Sequence, residues 1–178
     1  MNRTLIIFGS LLTLFGCTSH PPIKTADHVE LERFMGDWYV IANIPTAIEK
    51  GAHNAVESYR MNADGTIATT FTFRQDSFDG ERKTYHPTGY VFDTQSNAVW
   101  GMQFIWPIKA DYRILYVSAD YSQTIIGRIK RDYVWLMART PSISEADYQK
   151  LLGLIAEQGY DVSQVKRVPQ RRQAAAQR

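Results

Sequence analysis

Phe34-Met35-Gly36-Asp37-Trp38-Tyr39-Val40-Ile41-Ala42 combines a tight approach at Gly36, an indole at Trp38, and a strand of β-formers alternating with smaller side chains. A large ring at the base of a first strand needs something to cover it. Far along the chain, Tyr133-Val134-Trp135-Leu136-Met137-Ala138-Arg139 reads as another strand, and it ends in a guanidinium able to lie over that ring. A barrel that closes the last strand on the first would bring Arg139 to Trp38.

The chain between them reads as strands separated by regular turn signals. The first strand, 37–44, stops at Pro45, and the next, 53–61, turns at Asn62-Ala63-Asp64-Gly65, a strong hairpin signal. Strand 66–75 puts Ile67, Thr69, Phe71 and Phe73 on one face. Strand 81–92 is interrupted by Pro87, which predicts a kink or bulge. Strands 98–105, 111–117, 123–129 and 133–139 follow, with Trp106 to Ala110 read as a loop that has an apolar face. Eight strands with no room for crossover helices predict an all-β, eight-stranded antiparallel up-and-down barrel, a size able to hold one small ligand. If direction reverses at each turn, Gly36, Trp38, Asp120, Tyr121 and Arg139 collect at the bottom. The loops 45–52, 76–80, 106–110 and 130–132 then collect at an open top.

Outside the strands, Ser142 with Glu145 three residues on reads as a capping box. Tyr148, Leu151, Leu152 and Ile155 recur at helical spacing and Gly159 supplies a stop, so one α-helix packs outside the barrel. Residues 160–168 could add a short strand, and a polar tail follows at 169–178, of which Gln170 to Arg178 reads as disordered.

At the other end, Arg3 precedes the apolar run Leu5 to Phe15 and then Gly16-Cys17, the pattern of a secretory signal too short to span a bilayer of ~30 Å. Cys17 is the only cysteine, so no intramolecular disulfide is available to it. The alternatives are a free thiol or the tail of an ordinary cleavable signal. Leu14-Phe15-Gly16-Cys17 resembles the lipobox of bacterial lipoproteins, which implies cleavage before Cys17 and its acylation. Thr18 in place of an aspartate implies sorting to the outer membrane. The expected organisation is a lipoprotein signal peptide at 1–16, a lipidated tether at 17–28, and a barrel with its helix at 29–168. Formal charge is +2 over the whole chain, and loss of Arg3 brings the mature chain closer to neutral, which gives no support to nucleic-acid binding.

Taken together, Gly36-x-Trp38, Asp120-Tyr121 and Arg139-Thr140-Pro141, in that order, resemble the three motifs of the lipocalins, and most closely the bacterial outer-membrane lipocalins. The resemblance covers about residues 30–168. It implies that Gly36, Trp38, Asp120, Tyr121 and Arg139 are structural, and that the ligand is a fatty acid or a lysophospholipid.

Alternation places Phe71, Phe73, Trp100, Met102, Phe104, Tyr112, Ile114, Tyr116, Trp135 and Met137 on inward rows. These side chains would suit an elongated apolar guest with one polar end, or would simply fill the barrel. No catalytic residue, cofactor or metal is expected. The sole cysteine lies in the lipobox, and His20, His28, His53 and His86 are scattered without ligand spacing. A filled barrel would leave a structural or partner-binding lipoprotein, with Phe78, Trp106 and Ile108 as its contact patch. Oligomeric state is not legible.

Overall fold

A computed structural model describes residues 22–171. The signal segment, Cys17 and the first part of the tether lie outside the described residues. After a helical turn, α1 (Leu31–Phe34), the strands are β1 (Gly36–Ile44), β2 (Ala52–Met61), β3 (Ile67–Gln75), β4 (Arg82–Tyr85), β5 (Thr88–Val91), β6 (Val99–Ile105), β7 (Ile108–Val117), β8 (Gln123–Gly127) and β9 (Val134–Ala138). Helix α2 (Glu145–Glu157) and the two-residue β10 (Lys166–Arg167) follow. Each strand pairs antiparallel with its neighbour, and β9 returns to β1, with Tyr39 opposite Ala138 and Asn43 opposite Trp135. β4 and β5 are one strand broken at His86-Pro87, so the wall is the expected closed barrel of eight.

Two apolar clusters divide along the wall. Inside, the lower half is solid: Phe34 packs against Trp38, Tyr59 and Trp100 at centroid distances of 5.1, 5.7 and 5.6 Å. Outside, Tyr148, Leu151 and Ile155 of α2 bury against Ile41, Leu115, Ile125 and Leu136. Helical spacing and strand alternation thus meet at one interface.

The structure corrects several expectations. Helix α2 is capped by Ser144, whose hydroxyl accepts from Asp147 N at 3.0 Å, two residues later than the Ser142 start. Ser144→Ala should therefore lower stability by about 1 kcal/mol in urea unfolding, with Ser142→Ala near neutral. Ile108 to Ala110 belong to β7, and Ile105 pairs with Ile108 across a turn at Trp106-Pro107. The tether is shorter than expected, because Ile23 is already buried and Ala26 N donates to Ile114 O at 2.9 Å. Gln170, assigned to a disordered tail, donates to Val40 O and Ala55 O at 2.8 and 2.9 Å. It bridges β1 and β2 where β10 has wedged between them; β10 pairs with Ala42 and Asn43.

Parity fails at Tyr116. A bulge in β7 sets Ile114 opposite Ile126 and Tyr116 opposite Ile125, so one extra residue turns Tyr116 to the outer face. Its ring packs with the cluster under α2 and not in the barrel.

Candidate functional site

At the bottom, Arg139 lies 3.8 Å from the Trp38 ring centroid, and the Trp38 indole donates to Phe34 O at 2.8 Å. The same guanidinium donates to the carbonyls of Asp37, Arg33, Phe34 and Met35 at 2.8, 2.7, 3.1 and 2.8 Å. Arg139 Nε reaches Tyr121 O at 3.3 Å. Gly36 sits at φ +93°, where a side chain would be strained, and this lets the chain bend in beneath Arg139. Tyr121 accepts from Glu30 N at 2.8 Å and stacks beneath Arg33 at 4.1 Å. Asp120 caps its own turn: the Ser118 and Ser122 hydroxyls donate to Oδ1 at 2.6 and 2.8 Å and hold its pKa down to about 2. The five motif residues therefore meet at one closed end, and none of them lines the cavity.

The upper half contains a cavity of about 300 Å³, at the small end of ligand pockets. Of the ten inward candidates, Phe71, Met102, Phe104, Tyr112 and Trp135 line it. Trp100, Ile114 and Met137 are buried below, and Phe73 packs against Phe71 and Tyr85 at 5.3 and 6.2 Å. Phe104 stands at the rim, 48% exposed. Beside it the β6–β7 hairpin carries Ile105, Trp106 and Ile108 into solvent.

The sequence reading missed the polar part of the lining. Glu57 faces inward on β2, opposite Trp38 on one side and Phe71 on the other. Tyr59 donates to Glu57 Oε2, and the Tyr59 and Tyr112 hydroxyls are hydrogen-bonded to each other. Burial pushes the Glu57 pKa up to about 8, with the Glu49 charge adding to the rise and the Tyr112 bond opposing it. Glu49 comes from the 45–51 loop, whose folding inward no alternation rule foretells. Its carboxylate accepts from Thr46 N at 2.8 Å and from Trp135 Nε1 at 3.2 and 3.0 Å. The signal for Glu57 was present: Tyr59 pairs with Thr69, and Thr69 shares a face with Phe71, so two residues back along β2 must also point in.

Among the described residues no group of three His, Cys, Asp or Glu could hold a metal ion. His53 turns to Gly51 O at 2.9 Å and His86 to the Thr70 hydroxyl at 3.3 Å. No helix among them is long and apolar enough to cross a membrane.

Comparison with known proteins agrees with this geometry. Residues 29–170 match the family model described as a lipocalin-like domain. The chain is 30% identical to temperature-induced lipocalin-1 of Arabidopsis thaliana over 162 residues, 86% of each chain. It is 25% identical to the outer membrane lipoprotein Blc of Vibrio cholerae, over 96% of this chain and 99% of that one. Among solved structures, insecticyanin from the tobacco hornworm Manduca sexta superposes with a TM-score of 0.66 at 13% identity, covering 84% of this chain and 85% of that one. A cockroach allergen, Per a 4, gives 0.65 at 16% identity, covering 86% and 96%.

Proposed function

The chain belongs to the lipocalin-like family, and from that premise we propose that it binds single-chain lipids from the membrane, fatty acids or lysophospholipids, and stores or carries them. The observation that carries this reading is the aromatic-walled cavity above a solid lower barrel, which is open to one guest at the rim formed by Phe104. The function is binding and not catalysis. Cys17, acylated, would hold the barrel to the outer membrane on its periplasmic face and raise the local concentration of ligand around the mouth. Relatives named outer membrane lipoproteins support the outer-membrane part of that reading.

The mature chain, residues 17–178, carrying Cys17→Ser so that it cannot be acylated, is examined by native mass spectrometry and then titrated with palmitate and a lysophospholipid while Trp fluorescence is followed. A saturable one-site signal is expected. Phe71→Ala and Trp135→Ala should weaken it severalfold, and Tyr116→Ala, on the outer face, should leave affinity within about twofold. No bound mass and no response to either lipid would displace this reading. The exposed Trp106 and Ile108 favour a second one, a partner-binding envelope lipoprotein, which would then stand first.

A further inference from the structure

A cavity built only to receive a hydrocarbon tail should be apolar throughout, and this one is not. Glu57, 8% exposed, and Glu49, 3% exposed, both line it. Tyr112 and Trp135, stacked at 6.4 Å, add two ring faces to the same wall. The other charged groups around the cavity, Asp111 and Arg128, are engaged with neighbours outside the carboxyl pair. Asp111 takes Arg113 Nε and Ile129 N, both at 2.8 Å. Arg128 Nε, which makes no hydrogen bond, stands 3.0 Å from Asp132 in an ion pair, and its guanidinium lies 5.2 Å from the centre of the Tyr133 ring. No ion pair among the described residues joins a lysine or arginine to Glu49 or Glu57.

Two buried carboxyls without an ion-pair partner are costly to maintain, and a methyl terminus pressed against them would add neither charge nor hydrogen bond to offset that cost. An anionic head would meet the Glu49 carboxylate and a Glu57 whose ionisation is already disfavoured. A protonated amine suits both. Its three N–H groups match carboxylate and phenol oxygens, and its charge is favoured over aromatic faces.

We infer that the barrel takes single-chain lipids bearing a protonated amine, entering head first, with the ammonium held between Glu49 and Glu57 against Tyr112 and Trp135 and the chain leaving past Met102 and Phe104. This rests on the lipid-binding reading and narrows it: of the single-chain lipids proposed above, it favours those whose head carries an amine, such as an amine-bearing lysophospholipid, over fatty acids. The empty site keeps Glu57 protonated around neutrality, so an arriving ammonium draws off its proton and binding releases it to solvent.

The test compares dodecylamine, dodecanol and dodecanoate, below their micellar concentrations, by calorimetry at pH 7 on the mature chain, residues 17–178, carrying Cys17→Ser. Two buffers of different ionisation enthalpy report the proton count. The amine should bind at least tenfold tighter than the alcohol, with the acid weakest, and should release close to one proton. Glu57→Gln and Glu49→Gln should each remove most of the amine's advantage while dodecanol still binds, which also shows that the variants are folded. Dodecanoate binding as tightly as the amine would overturn the inference and leave lipid binding intact, as would an amine preference that survives both substitutions. If none of the three binds, and neither palmitate nor a lysophospholipid does, the lipid-binding reading falls with it.

Discussion

Arg139→Ala should unfold roughly 6–12 °C below the parent protein, a loss of about 3 kcal/mol, while keeping the ligand cavity. The side chain does two jobs at once. It covers the Trp38 ring at 3.8 Å, worth about 0.5–2 kcal/mol. It also ties five carbonyls, those of Arg33, Phe34, Met35, Asp37 and Tyr121, into one closed end. Truncation removes every donor together and leaves partly buried acceptors to whatever water can reach them. Arg139→Lys should recover less than half of the loss, because a single ammonium cannot hold a planar fork of carbonyls. Thermal melting of the three proteins, with ligand titration alongside, decides the matter. Unchanged melting would remove the bottom closure from the account of stability.

Glu57→Gln should stabilise the protein, and more so as the pH rises. The folded carboxyl titrates at about 8, against 4.5 for the ordinary group. Its pKa is raised in the folded state, so between these values the folded protein holds a proton that the unfolded chain has released. Stability from this group is therefore fully present below about 4.5 and is lost as pH climbs to about 8, at about 1.4 kcal/mol per unit. Glutamine does not titrate, keeps an acceptor for the Tyr59 hydroxyl, and escapes that loss. Urea midpoints near pH 5 should nearly coincide, while near pH 8 the variant should lead by a margin on the order of 3 kcal/mol. Parallel pH profiles would show that Glu57 is not the buried group that titrates.

Closure of the barrel was legible because it depends on parity. Counting reversals from Trp38 places Arg139 at the same end whatever the details of each turn, and Pro87 and the Asn62 to Gly65 hairpin announce themselves by composition. The interior rows were less legible for the same reason inverted. One bulged residue reverses every side chain beyond it, and the register shifts in β1, β2, β6 and β7 leave no local signature in composition. Tyr116 is the clearest victim. Glu57 went unseen because attention to apolar alternation discards an inward-facing acid, although its neighbours Ala55 and Tyr59 on β2 fix the face. Glu49 depends on how a loop folds over a mouth, which is decided by tertiary contacts such as the Trp135 indole and not by nearest neighbours in sequence.

The seam between β1 and β9, with the C-terminal segment wedged on the other flank of β1, also sets a kinetic schedule. The first strand is flanked at its upper end by residues from the last third of the chain, Trp135 on one side and Lys166 on the other. Neither contact can form until the intervening loop entropy has been overcome. Hairpins such as β2–β3 can assemble locally and early, but the wall becomes continuous only after synthesis has delivered Gln170. Folding of this chain should therefore run on the milliseconds-to-seconds scale of non-local β topologies, with an unpaired β1 edge as the species most exposed to aggregation in the interval.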